Sequence, residues 1–203
     1  CANAMIRQLK EDRLPNVNQE TDNEVVQQTS TILTRVIDYA EDKAVEGKEN
    51  LDALTRAFGR DQGMETIQNA IGKHGGGCLF LFDIDHFHRI NDTEGFVVGD
   101  MYLKAMVAQI RSLSNHLILA RFGSDEFAAY IPEVEDEEAA AELSKIFFTR
   151  MKEAIQLDPS IQKMSVSIGI TEIATEKDKV MVLYENASKA LYVAKQKGGN
   201  TFY

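Results

Sequence analysis

Apolar residues recur at helical spacing in some stretches of this chain and form short continuous runs in others. Helical spacing predicts helices over residues 61–73, 97–113, 135–156 and 178–196. Apolar runs predict strands at 78–84, 117–122 and 127–131, the last two forming a hairpin, and an alternating pattern predicts a further strand at 164–171. The closing residues 200–203 can extend the sheet edge. Strands alternating with helices predict a mixed α/β (α+β) domain whose central sheet is flanked by helices.

The first fifty residues have a different pattern. Cys-Ala-Asn-Ala before Met5 looks like the remnant of an expression tag, and the rest of 1–22 is a polar lead-in with no assigned function. Residues 23–50 carry an apolar stripe that predicts an amphipathic helix ending near Glu46. Two alternatives stay open for this helix. It packs on its own domain, or it pairs with a second copy, as helices that link sensor domains to output domains do.

Composition and charge narrow the partners. The 203 residues are 44% apolar and carry a formal net charge of −10, which argues against a nucleic-acid partner. No apolar run approaches the length that crosses a bilayer, so we expect no membrane contact within this chain. The two cysteines, Cys1 and Cys78, make no disulfide framework. These features predict a protein of the reducing cytoplasm.

Acidic residues stand where two predicted strands end. Asp83 and Asp85 close the apolar run 78–84, and Asp125 and Glu126 lie in the turn of the hairpin. If the strands are neighbours, four carboxylates converge at one sheet edge. Such a cluster suits Mg²⁺, a hard cation that shares its coordination between carboxylates, water and substrate phosphates. On spacing alone, an ordinary solvated acidic turn is the alternative.

Seven sequence motifs, which follow one another along the chain, include and surround this acidic cluster. They are Leu-Asp-Ala-Leu-Thr-Arg-Ala-Phe-Gly-Arg at 51–60, Asp-Ile-Asp-His-Phe at 83–87, Ile-Asn-Asp-Thr at 90–93, Val-Gly-Asp at 98–100, Arg-Phe-Gly-Ser-Asp-Glu-Phe at 121–127, Val-Ser-Ile-Gly at 166–169 and Ala-Leu-Tyr-Val-Ala-Lys at 190–195. Residues 51–203 thereby resemble the GGDEF family of diguanylate cyclases. The resemblance implies a mostly antiparallel sheet, similar to nucleotide cyclases and polymerase palms. It also implies condensation of two GTP molecules into cyclic di-GMP with loss of two pyrophosphates.

The resemblance also implies a role for each matching residue. Asp83, the carbonyl of Ile84 and Asp125 would bind Mg²⁺, or Mn²⁺ in its place. Asp125 would help to deprotonate the attacking 3′-hydroxyl, and Glu126 would support the metal site. The positions that would contact the nucleotide are Asn91 and Asp100 on guanine, Phe87, Gly123 and Ser124 elsewhere on the substrate, and Lys195 on phosphate.

Several positions depart from the family pattern. Ser124 replaces the second glycine of the signature, and His88 replaces a lysine that acts on phosphate and transition-state charge. Gly199 stands where a phosphate-binding arginine is usual, and Phe96 where a histidine is usual. We therefore expect a thinner cationic shell around the triphosphate, with His88 as a weaker, pH-dependent catalytic substitute. Two nearby cations, Arg89 and Lys197, are candidates to compensate.

The family's product-inhibition motif, Arg-x-x-Asp, is replaced by Ser-Asn-His-Leu at 114–117, so we expect no feedback inhibition there. The first functional hypothesis is a diguanylate cyclase that works as a homodimer aligned by its N-terminal helix, with an upstream sensor domain as a further partner. The second is a weak or inactive GGDEF domain that regulates by binding GTP or a protein. A scaffold with an empty pocket is the third.

Overall fold

The structure is a computed structural model, and it describes residues 51–203. The predicted N-terminal helix lies outside the described residues. The strands are β1 (Phe58–Gly59), β2 (Cys78–Ile84), β3 (Ile118–Arg121), β4 (Glu126–Ile131) and β5 (Val166–Glu172). The α-helices are α1 (Arg60–His74), α2 (Phe87–Glu94), α3 (Phe96–Arg111), α4 (Glu137–Leu157) and α5 (Val180–Gln196), and a 3₁₀ turn follows α4 at Pro159–Ile161.

The five strands form one sheet in the order β1-β3-β4-β2-β5. Only the short β1–β3 pair is parallel, while β3–β4, β4–β2 and β2–β5 are antiparallel. The prediction of a mostly antiparallel sheet flanked by helices is confirmed. All seven residues of β2 are buried, because this strand has neighbours on both sides and helices over both faces.

The sheet separates two apolar layers. Leu79 and Leu81 of β2 pack on one face with residues of α1 and α5. Phe80 and Phe82 point to the opposite face and pack with residues of α2, α3 and α4. The period of two along a strand therefore places Asp83, which follows Leu79 and Leu81 at that spacing, on the α5 face.

The structure also departs from the sequence predictions. Helix α2 was not predicted, because it has only eight residues and buries only Phe87 and Ile90, too few to give a clear apolar period. The two-residue β1 was missed for the same reason of length. Strand β5 does not alternate as expected: its first four residues are all buried, since both faces of the sheet are covered there.

The chain ends along the outer edge of β5. Phe202 makes an isolated parallel bridge to Ile168, and the backbone N–H of Ile170 donates to the carbonyl of Tyr203 at 2.8 Å. The prediction that residues 200–203 close a sheet edge is confirmed. Within residues 51–203, no helix is both long and apolar enough to cross a bilayer.

Helix α5 lies against β5 at a distance that only glycine permits. A Cβ atom added at Gly169 would lie 2.1 Å from the carbonyl oxygen of Ala187 and 2.3 Å from the backbone nitrogen of Leu191. Both of these atoms belong to the α5 backbone, which cannot turn aside as a side chain can. Gly169 therefore sets the separation between α5 and the sheet.

We expect Gly169→Ala to lower the free energy of unfolding by about 3 kcal/mol, because the helix must be displaced to admit a methyl group. Gly72→Ala is the matched control, since Gly72 is an exposed position of α1 and an added Cβ meets nothing within 4 Å. This control should stabilise the protein by about 0.5–1 kcal/mol. Urea unfolding measures both values, and equal effects would contradict the close contact.

Candidate functional site

Two carboxylates face each other across the end of the sheet. Asp83 of β2 is the register partner of Glu126 of β4. Residues directly opposite each other in an antiparallel pair point to the same face, and like charges in such a pair are destabilising. The strands thus hold two acidic side chains together on the α5 face, where a cation or a hydrogen-bond donor is required.

Lys195 of α5 supplies one such cation. Its Nζ lies 2.5 Å from Oδ1 of Asp83, whereas the lysine side chain itself is 40% exposed. Asp83 is only 9% exposed, and no hydrogen bond of regular geometry reaches its Oδ1 within the described part of the chain. Burial raises the pKa of Asp83 to about 6, against the opposing effect of Lys195 and with a further rise from the charges of Asp125 and Glu126. The site therefore needs more positive charge than Lys195 provides.

The signature turn between β3 and β4 is held by Arg121. Its guanidinium donates to the carbonyl oxygens of Gly123 at 3.2 Å and Ser124 at 2.5 Å. Its Nη1 also contacts both carboxylate oxygens of Asp52 at 3.0 Å. Burial works against ionisation of Asp52, but hydrogen bonds from Thr55 and the charge of Arg121 lower the pKa of Asp52 below its usual value. The turn is thereby tied to the start of the domain.

The turn presents Asp125 with its side chain already oriented. The Oγ of Ser124 donates to Oδ1 of Asp125 at 2.5 Å, an interaction that glycine at position 124 could not make. Gly123 is exposed, and a Cβ added there would make only ordinary contact, at 3.5 Å from Cβ of Glu126. The protein's own packing therefore does not require glycine at 123.

A second polar group lies where α2 meets α3. The side chain of Asn91 packs so closely on α3 that a Cβ added at Gly99 would lie 2.0 Å from its Oδ1. This oxygen is buried and has no hydrogen-bond partner among residues 51–203. A buried acceptor without a donor is costly, so an N–H group of a ligand would be bound favourably there. Asp100, which follows Gly99 on α3, is exposed and adds a carboxylate to this region.

The remaining predicted residues of α2 differ in exposure. The ring of Phe87 is buried in the core beneath the helix, so its side chain contributes to packing. The side chain of His88 is 91% exposed, and its Nε2 lies 3.2 Å from Oδ2 of Asp92 one turn later. Contacts of Phe87 and His88 with a substrate stay predictions.

Asp85 does not join the acidic cluster. Its carboxylate accepts hydrogen bonds from the hydroxyls of Ser165 and Ser167, both at 2.7 Å, and from the backbone N–H of Asn200 at 2.9 Å. These donors use both oxygens, so the prediction that four carboxylates converge is wrong for Asp85. Its position follows from tertiary contacts with β5 and the C-terminal segment, which the local sequence does not encode.

The departures at the C-terminal end have a structural basis. Gly199 has φ +74°, and a Cβ added there would lie 2.7 Å from Oδ2 of Asp85, so a side chain at this position is disfavoured. Lys197, a candidate to compensate, places its Nζ 4.3 Å from the centroid of the Tyr203 ring. It is thus engaged with the C-terminal residue. Lys195 is the cation that the structure shows against the cluster.

The donor chemistry fits a hard divalent cation. The predicted ligands, which are Asp83, the main-chain carbonyl of Ile84 and Asp125, are all oxygen donors. No group of three or more His, Cys, Asp or Glu side chains within residues 51–203 is placed to hold a metal ion. An ion bound here would depend on water and substrate for its remaining ligands, as Mg²⁺ commonly does. Ile84 and Asp83 end the buried strand β2, which fixes both.

The raised pKa of Asp83 predicts a specific pH dependence of stability. The folded protein holds this proton more tightly than the unfolded chain, so ionisation of Asp83 lowers the free energy of unfolding as pH rises from about 4 through about 6. Asp83→Asn removes this effect. In metal-free buffer, the variant should gain about 1–2 kcal/mol over the wild type between pH 4 and pH 7. Urea unfolding at several pH values tests this, and a pH-independent difference would contradict it.

Comparisons with known proteins find a matching family and several relatives. A family model described as "Diguanylate cyclase, GGDEF domain" matches residues 49–201. The cyclic di-GMP phosphodiesterase NbdA of Pseudomonas aeruginosa is 33% identical over 155 residues, which are 76% of this chain and 19% of that protein. The probable diguanylate cyclase DgcT of Escherichia coli is 32% identical over 159 residues, covering 73% of this chain and 34% of that protein. The chain thus spans well under half the length of either relative.

A solved structure is similar in fold. The GGDEF domain of DgcB from Caulobacter crescentus, in complex with c-di-GMP, matches with a TM-score of 0.58 and 25% sequence identity. The match covers 75% of this chain and 91% of that one.

Proposed function

The chain belongs to the GGDEF domain family, and from this premise we propose that it condenses two GTP molecules into cyclic di-GMP, as a homodimer that uses a divalent metal ion. The observation that carries the proposal is the cross-strand pair of Asp83 and Glu126, with Asp125 beside it and Lys195 against Asp83. An acidic pair of this kind at the end of buried strands is costly unless it holds a cation, and this supports the proposal.

Each residue of this cluster has a role in the proposal. Asp83, the carbonyl of Ile84 and Asp125 hold Mg²⁺, or Mn²⁺ in its place. When bound, the ion neutralises phosphate charge and polarises the reacting phosphoryl group. Asp125, held by the Ser124 hydroxyl, accepts the proton of the attacking 3′-hydroxyl. Lys195, whose side chain reaches the site from α5, contacts phosphate oxygens.

The groups on α2 and α3 select the base. Guanine presents N1–H and N2–H on one edge, and the carboxylate of Asp100 can accept both. The buried Oδ1 of Asn91 has no partner in the described protein and can accept a further N–H. Gly123 leaves room for the nucleotide beside the turn, and Ser124 lies next to it. Phe87 supports this region from beneath α2.

The product requires a second copy of the chain. One site of this kind holds one GTP, whereas cyclic di-GMP joins two, so two sites must face each other. The N-terminal helix within 23–50 is the segment we propose to align the two copies, and it lies outside the described residues. An upstream sensor domain would act through that helix, and the cytoplasm is the compartment where GTP and Mg²⁺ are available.

The names of the relatives bear on the alternative function. One relative is named a diguanylate cyclase and another a cyclic di-GMP phosphodiesterase, so the same kind of domain occurs in proteins of both names. A GGDEF domain that only binds GTP and regulates a partner is therefore the competing outcome. At the position of the missing product-inhibition motif, Ser114 and His116 contact Glu133, and we propose that no feedback inhibition occurs there.

The decisive variant is Asp125→Asn, which keeps the size of the side chain but removes the charge that binds metal and accepts the proton. With GTP and Mg²⁺, the wild type should form cyclic di-GMP, and the variant should lose at least about 100-fold in rate. The control is Glu153→Gln, which removes the charge of an exposed side chain on α4 and should leave the rate unchanged.

Chromatography of the nucleotides gives the rates, and titration calorimetry with a non-hydrolysable GTP analogue gives binding. Product from the wild type that is lost in Asp125→Asn supports the cyclase. Binding without product would favour the regulatory module, and neither binding nor product would leave a scaffold.

The second variant, His88→Lys, tests the exposed histidine of α2. If position 88 reaches phosphate during turnover, a permanently charged lysine should raise the rate severalfold at pH 7.5 and flatten its dependence on pH between about 6 and 8. His74→Lys, at the exposed end of α1, is the control. An unchanged rate and pH profile would place His88 outside the site.

A further inference from the structure

Glu126 has a hydrogen-bond donor that none of the matched motifs includes. The phenol of Tyr184, on α5, donates to Oε1 of Glu126 at 2.9 Å. We infer that Tyr184 is a positioning residue for Glu126, holding this carboxylate beside the metal-binding pair, and the inference rests on the proposed function above. Its consequence is a tighter bound divalent ion and a faster chemical step than Glu126 alone would give.

The Tyr184 ring is held on more than one side. Its centroid lies 5.2 Å from that of Phe122, with the rings tilted by 48°. The guanidinium of Arg60, at the start of α1, lies 5.3 Å from the Tyr184 centroid and 5.4 Å from the Phe122 centroid. Phe122 immediately precedes the signature turn. The phenol is therefore fixed by the same segments that position the turn, and its hydroxyl cannot swing freely away from Glu126.

One helix serves both members of the carboxylate pair. Tyr184 and Lys195 are eleven residues apart on α5, which is about three turns, so they project from the same side of the helix about 16 Å apart along its axis. Lys195 contacts Asp83, and Tyr184 contacts Glu126. Sliding of α5 along the sheet would therefore disturb both contacts.

The two donors act differently on charge. Lys195 brings a positive charge that offsets part of the charge on Asp83, whereas the phenol of Tyr184 hydrogen-bonds to Glu126 without bringing any charge. Burial and the neighbouring Glu126 carboxylate raise the pKa of Tyr184 above its usual value, so the hydroxyl keeps its proton at neutral pH. Within residues 51–203, the hydrogen bond from Tyr184 reaches Oε1 of Glu126. The hydrogen bond thus orients the Glu126 carboxylate without supplying a positive charge to it.

The test variant is Tyr184→Phe, which keeps the ring packed on Phe122 and under Arg60 and removes only the hydroxyl. We expect Mn²⁺ affinity, measured by electron paramagnetic resonance with a non-hydrolysable GTP analogue, to fall about three- to tenfold. We expect kcat to fall by a similar factor with KM for GTP unchanged. Tyr192→Phe, which removes the hydroxyl of a 64% exposed tyrosine on the same helix, is the control and should match the wild type.

A double-mutant cycle separates positioning from packing. If Tyr184 acts through Glu126, then Tyr184→Phe should cause no further loss in a Glu126→Gln background. An equal loss in both backgrounds would overturn the inference, as would a Tyr184→Phe protein that binds Mn²⁺ and turns over like the wild type. Thermal unfolding of each variant checks that the fold is intact.

The same measurements keep the inference apart from the proposed function. Cyclic di-GMP formed equally by the wild type and Tyr184→Phe, with equal Mn²⁺ affinity, rejects the inference alone. If the wild type forms no product but binds Mn²⁺ more tightly than Tyr184→Phe does, the proposed function is rejected and the positioning role is supported. A wild type that binds no Mn²⁺ rejects both.

Discussion

Repulsion between Asp83 and Glu126 is the constraint around which this end of the domain is arranged. Their strands pair in a register that sets the two carboxylates directly opposite each other on a largely buried face. Such a pair is unfavourable in isolation, and burial makes it worse. Lys195 supplies one positive charge and Tyr184 supplies one neutral hydrogen-bond donor. Together they do not balance the negative charge of the two carboxylates. The remaining imbalance leaves net negative charge at this end of the sheet.

The surrounding fold keeps this pair from relaxing. Strand β2 is buried along its whole length, so Asp83 cannot move outward without disturbing the centre of the sheet. On the other side, Arg121 holds the carbonyls of the signature turn while contacting Asp52. Helix α5 is locked on the sheet through Gly169. Unfavourable local electrostatics therefore persist because the packing of three separate elements determines the positions of the charges.

Local patterns in the sequence predict the helices and strands, whereas tertiary contacts determine how the site residues are arranged. The apolar run 78–84 predicts β2 with the bounds that the structure shows, because a fully buried strand forms a continuous apolar run in the sequence. The acidic residues at 83, 125 and 126 are also evident from the sequence. Asp85 lies apart from them, because its carboxylate accepts hydrogen bonds from Ser165 and Ser167. These serines are 80 and 82 residues away along the chain, so the local sequence does not predict the contact. Tyr184 escapes notice likewise, since an isolated tyrosine on an amphipathic helix resembles any packing residue.

In the proposed function, the position of Lys195 would link nucleotide binding to metal binding. In the protein alone, its Nζ lies against Asp83 and offsets part of the buried charge. Within the proposed function, phosphate oxygens attract the same ammonium group, and any shift of Lys195 toward them leaves Asp83 less compensated. A divalent ion restores that balance, because it carries twice the charge and binds carboxylate and phosphate together. With Gly199 unable to accept a side chain beside Asp85, and Lys197 engaged by Tyr203, no other cation shown here relieves Asp83. Nucleotide and metal should therefore bind to this site as a pair, each raising the affinity for the other.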